Sequence, residues 1–179
     1  MPRPTVLAEQ FAGSQVGAAL REHREDRDAL LSSLTASLEA DPRVLAFWLW
    51  GSFQNGEADD LSDLDPWVIV TDEAALEMGA SLQYYARRTG NFISGGEAPH
   101  NAPPQGGYFA SRHEGRHGLL HVDCYGIAIS TCPPADARNN SSSCFSVVSI
   151  AARSRMLCWA CSGSSEARTR LSEAGNLAA

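Results

Sequence analysis

The sequence contains no lysine: all 14 of its basic side chains are arginine. Schiff-base catalysis and lysine general-base chemistry are thereby excluded. It also lacks any apolar run long enough to span a membrane, and the opening MPRPTVLAEQFAG has no signal-peptide core. Positive charge is in short supply, with 21 acidic residues and a formal net charge of -7. That balance argues against a sequence-independent grip on DNA or RNA, which needs a basic face. The 5 cysteines are an odd number with no small-scaffold spacing. They suit a reducing compartment, so a cytoplasmic location without a membrane partner is expected. What is present is a chain of 179 residues, enough for one domain with a substantial core.

The most informative stretch is VLAFWLWGSFQNGEADDLSDLDPWVIVT, residues 44–71. It reads as an apolar strand from Val44 to Trp50, a Gly51-Ser52 turn, a short polar segment, and a second strand from Trp67 to Val70. Alternation along an extended backbone turns Asp63 and Asp65 to one side and Leu64 to the core. Two carboxylates held that close repel unless a cation lies between them. Hard oxygen ligands suit Mg²⁺ or Mn²⁺, and Mg²⁺ is typically held by one or two carboxylates together with substrate phosphates. Gly51 permits close approach of the backbone, and the N–H groups opening the next short helix can cradle an anion. Together the two halves point to phosphoryl or nucleotidyl transfer. The alternative is an acidic loop between two core strands, capped by Ser62.

Gly51-Ser52, then Asp63-Leu64-Asp65 leading into a strand, with Gly56 and Ser62 between, resembles the nucleotidyltransferase superfamily. That group includes DNA polymerase beta and the antibiotic nucleotidyltransferases acting on aminoglycosides and lincosamides. The resemblance covers about residues 44–127 and is specific within 51–70. It implies an α+β fold: a small mixed β-sheet with helices packed on one face. It further implies Mg²⁺ (or Mn²⁺) at Asp63 and Asp65, with Gly51, Ser52 and Ser62 contacting a nucleoside triphosphate, ATP or another. Pro66, directly after Asp65, departs from the apolar residue many relatives carry there, and is tolerable at a strand's first position.

Before this stretch, Met1 to Gly13 is expected to be loose. Ser14 is a plausible N-cap for a long helix whose apolar positions include Leu20, Leu30, Leu34 and Leu38. Its charged run from Arg21 to Arg27 reads as a solvated face, and Asp41-Pro42 ends it. After the second strand, DEAALEMGASLQYYARR reads as one helix capped by Thr71 or Asp72, with Leu76, Leu82 and Tyr85 inward. Residues 91–107, rich in Gly and Pro, read as a loop over the site. Residues 108–127 read as a hairpin whose second strand places Leu120, Val122 and Cys124 on one face and His121, Asp123 and Tyr125 on the other. The superfamily carries a third acidic residue on a later strand beside the first pair, and the resemblance assigns that role to Asp123. A surface strand aspartate is the alternative, and His121 is a neighbour that either orients the site or lies in solvent. His113-Glu114-Gly115-Arg116-His117 matches the H-E-x-x-H zinc-protease pattern in letters only. That chemistry needs a helix, and Gly115 and Gly118 favour a turn, so these histidines are expected on an exposed hairpin.

From residue 139 the composition changes. Residues 141–179 hold four Arg against two Glu, net +2, against -9 for the rest of a chain totalling -7. Cys158 and Cys161 form a C-x-x-C without a thioredoxin-like context, and a short helix over 151–160 is the plain reading. The expected organisation is a loose segment over 1–13, a catalytic domain over 14–138, and an atypical tail over 139–179, partly helical or disordered. The helical domain that antibiotic-type relatives add is not recognisable there, and a frameshifted or truncated end is the expectation. The function expected is transfer of a nucleoside monophosphate, AMP from ATP, onto a hydroxyl of a small molecule such as an aminoglycoside or lincosamide. Two alternatives stay open: a minimal nucleotidyltransferase antitoxin acting on a protein partner, and an inactive nucleotide-binding remnant. A homodimer is also open.

Overall fold

A computed structural model describes residues 11, 13–131 and, as backbone, 147–148. The expectations for 1–10 and 12, for 132–146, for the tail beyond 148 and for Cys158 and Cys161 lie outside the described residues. Helix α1 (Gln15–Glu39) starts where Ser14 accepts a hydrogen bond from the Gly17 N–H through its side chain. Leu30, Leu34 and Leu38, three to four residues apart, bury one stripe of it. Burying each such leucine contributes about 1.5–3 kcal/mol. The chain then forms β1 (Val44–Leu49), the short helix α2 (Gly51–Asn55), β2 (Pro66–Val70), α3 (Asp72–Ala75) and α4 (Met78–Arg88). Three further strands, β3 (Phe92–Glu97), β4 (Gly107–Gly115) and β5 (Gly118–Ala128), are followed at the far edge by β6 (Val147–Val148).

The sheet is mixed, in the order β3-β4-β5-β2-β1-β6. All its pairings are antiparallel except β2 with β5, which run parallel. Phe47, Val68, Phe109, Val122 and Cys124 point from four strands into one core with the leucines of α1 and with Leu82 and Tyr85 of α4. Helices therefore cover one face of a mixed sheet, the α+β architecture expected. No helix among the described residues is long and apolar enough to cross a membrane.

Four local expectations are corrected. The helix after β2 breaks in two, and Leu76 is 95% exposed rather than inward. Met78 takes the inward place: it packs against Gly126, where a Cβ would lie 2.0 Å from its Cγ. Residues 92–97 form an edge strand rather than loop, pairing Gly95 with Ser111 and Glu97 with Phe109. The missing side chain of Gly95 permits this, because a Cβ there would sit 2.6 Å from the Ala110 carbonyl oxygen. His23 and Arg27 are buried, not solvated, because both reach the loop before Asp63. His113 is buried as well, its Nε2 3.0 Å from Ser111 Oγ.

Candidate metal centre

Strand pairing, not loop chance, brings the acidic residues together. β1 and β2 are antiparallel, with Leu49 opposite Pro66, so the end of β1 and the start of β2 share one end of the sheet. β2 and β5 are parallel, Trp67 lying beside Tyr125, and the same offset pairs Leu64 with Val122. That offset sets Asp65 level with Asp123. Two backbone hydrogen bonds fix it: the Leu64 N–H donates to the His121 carbonyl at 3.1 Å, and the Asp123 N–H to the Leu64 carbonyl at 2.9 Å. Leu64 is fully buried, so Asp63 and Asp65 project away from the core, as their spacing requires.

The outcome is a cluster in which one carboxylate oxygen from each of Asp63, Asp65 and Asp123 lies within 4.8 Å of the others. Among the described residues it is the one group of three acidic, histidine or cysteine side chains placed to share a metal ion. Burial, and then the charges of Asp63 and Asp123, push the Asp65 carboxyl up to about 6. Like charge gathered in a half-buried place is relieved by a cation. An all-oxygen set with this unrelieved repulsion fits a hard divalent ion such as Mg²⁺ or Mn²⁺. Asp123 Oδ1 also accepts a hydrogen bond from the Tyr108 hydroxyl at 3.1 Å.

The turn after β1 abuts this cluster. The Trp50 N–H donates to the Asp65 carbonyl at 2.9 Å, and Gly51 opens α2 with φ +65°. A Cβ on Gly51 would stand 2.6 Å from Asp65 Oδ2, so both backbone angle and space demand glycine. Ser52 Oγ is buried without a hydrogen-bond partner. A buried hydroxyl of this kind is an unmet donor, one residue along from Gly51. Gly56, at φ +68°, closes α2 as a left-handed cap. Ser62 has its hydroxyl engaged elsewhere: it accepts from the Asp59 N–H at 2.8 Å and donates to Asp59 Oδ1 at 2.9 Å.

The structure thus gathers Gly51, Asp63, Asp65 and Asp123, sets Ser52 next to Gly51 in α2, and puts Ser62 in the entering loop. His121 is exposed and borders a cavity of about 240 Å³ with Asp63, Ser62 and Arg27. The H-E-x-x-H letters do not converge, since His117 pairs with Glu22 at 2.9 Å while His113 is buried beside Ser111. Sequence reasoning missed Tyr108, whose alignment follows from the hairpin register once the turn at Gly115–Gly118 is fixed. It also missed an aromatic row on the face bearing Asp65 and Asp123. Trp48 and Trp67 lie 5.9 Å apart, Trp67 and Tyr125 4.9 Å, and Tyr125 and Tyr108 5.0 Å. Period-two spacing from the acids, Asp65 to Trp67 and Asp123 to Tyr125, was the available signal.

No family model and no curated protein matches this chain. Among solved structures it is similar to a chain in the structure of the GLD-2/RNP-8 complex, at 14% identity and a TM-score of 0.38. The match covers 65% of this chain and spans 40% of that one. A likeness so distant carries no argument about function, which rests on the geometry of the acids and the turn.

Proposed function

We propose that the protein is a divalent-metal-dependent nucleotidyltransferase, moving a nucleoside monophosphate from a triphosphate such as ATP to an acceptor hydroxyl. The observation that carries this reading is the trio of carboxylate oxygens within 4.8 Å, set against a glycine that admits no side chain. Asp63, Asp65 and Asp123 would hold Mg²⁺ or Mn²⁺. When bound, such an ion neutralises charge on the attacking and departing oxygens of an in-line displacement. Gly51, whose missing side chain makes room for the Asp65 carboxylate, lets the turn's backbone approach a phosphate, and Ser52 Oγ, otherwise unpartnered, would donate to a phosphate oxygen. Asp123 receives the proton of the acceptor hydroxyl, and the Tyr108 hydroxyl holds that carboxylate in orientation. The acceptor oxygen bonds to the α-phosphorus as the bond to pyrophosphate breaks.

The acceptor class is a small hydroxyl compound, aminoglycoside or lincosamide by the resemblance of the motif. The test incubates the full chain with Mg²⁺ and ATP labelled at the α-phosphate, against a panel of such compounds. Label is expected on one of them, and to vanish with Asp63→Asn. Absence of transfer to any small molecule or to protein would overturn the reading.

A further inference from the structure

The buried stripe of α1 changes character along its length. Leu38, Leu34 and Leu30 continue toward the N-terminus as Arg27 and His23, at the same helical spacing and equally hidden. Burying a guanidinium is costly, and an apolar side chain would extend the leucine stripe without that cost. The partners explain the choice. Arg27 Nη1 donates to the Asp59 carbonyl at 2.5 Å and the Ser62 carbonyl at 3.3 Å. Its Cζ lies 4.8 Å from the centre of the Phe53 ring, on α2. Asp28 Oδ1 accepts from its Nε at 3.3 Å, orienting the fork. His23 Nδ1 reaches the Asp60 carbonyl at 3.0 Å, and since a carbonyl cannot donate, that nitrogen carries the proton. Arg24 pairs with Asp60 at 3.1 Å.

Of these three side chains, Arg27 reaches both halves of the candidate centre: Phe53 next to the Gly51-Ser52 turn, and the carbonyl directly before Asp63. We infer that Arg27 is a positioning residue that holds the phosphate turn and the Asp63 carboxylate in register, an inference that rests on the metal-site reading above. Its planar fork matters as well as its charge: Nη1 donates to both carbonyls while Nε and Nη2 hold Asp28 Oδ1 and the guanidinium lies over Phe53, a combination a lysine ammonium cannot reproduce. Residues that orient metal ligands from behind typically change metal affinity by about 10- to 100-fold when replaced.

The experiment titrates Mn²⁺ alone into the full chain, following free Mn²⁺ by electron paramagnetic resonance, with thermal unfolding of each metal-free variant alongside. Wild type is expected to bind, and Asp63→Asn to lose binding; failure of either defeats the metal-site reading itself, whatever Arg27 does. Given both, Arg27→Met and Arg27→Lys are each expected to fold cooperatively and bind Mn²⁺ roughly 10- to 100-fold more weakly. If Arg27→Met does not fold, Arg27→Lys decides. A folded Arg27 variant with wild-type Mn²⁺ affinity would overturn the inference and leave the metal site standing.

Discussion

Gly51 and Ser52 fail in opposite ways when replaced by alanine. Gly51→Ala places a Cβ 2.6 Å from Asp65 Oδ2 at a φ of +65°, so the turn or the carboxylate must move. A left-handed backbone with a side chain costs about 1–2 kcal/mol, which a urea unfolding curve should register. Labelled transfer should be lost with it. Ser52→Ala deletes a buried hydroxyl with no partner, so stability should stay within about 0.5 kcal/mol of wild type while Mg-ATP affinity falls. A matching loss of stability in Ser52→Ala would mean the hydroxyl serves the fold. At this scale the sequence was legible where the period is short. Asp63, Leu64 and Asp65 declare their faces by alternation alone. Arg27 did not, because its burial depends on a loop 32 residues further along the chain, at the Asp59 carbonyl.

Elements are tied at the base of the molecule by Asp41, which follows α1. Arg43, directly before β1, donates to it at 2.7 Å, and the Tyr85 hydroxyl of α4 donates to it as well. The Arg43 guanidinium, ahead of Tyr85, holds the Asp41 carboxyl down to about 2. A carboxyl depressed below its ordinary value stabilises the fold fully above about pH 4, and that contribution is lost as pH falls from about 4 to 2. Partly screened, it amounts to about 1–2 kcal/mol. Asp41→Asn should flatten the fall in urea midpoint between those pH values; an unchanged acid limb would contradict the tie. Helix α1, its cap and the strands around the acids were readable from periodicity. Strand β3 was not, because glycines that usually signal a loop here permit close strand approach. The split between α3 and α4 was equally hidden: Met78, not Leu76, takes the core place, where Gly126 makes room for its side chain and Gly107 for the backbone beside it.

At the scale of the whole molecule, a metal bound by the native state alone should raise its stability by mass action. At a hundred times the dissociation constant that gain is about 2.7 kcal/mol. Mg²⁺ should therefore raise the melting temperature of wild type and leave that of Asp63→Asn unchanged. The resemblance of the motif implied a mixed sheet with a later strand beside the Asp63–Asp65 strand; the sheet order and the parallel β2–β5 pair were not legible, since register between distant strands is set by the assembled core. Only the resemblance points to an acceptor class; which compound accepts was not legible, because none of the motif's residues encodes what approaches it. The account stands on three carboxylates sharing one ion. Anomalous diffraction from a crystal grown with Mn²⁺ tests that most directly. A peak in contact with Asp63, Asp65 and Asp123 together is the expected result; a map with the ion elsewhere, or with none at saturating Mn²⁺, would contradict it.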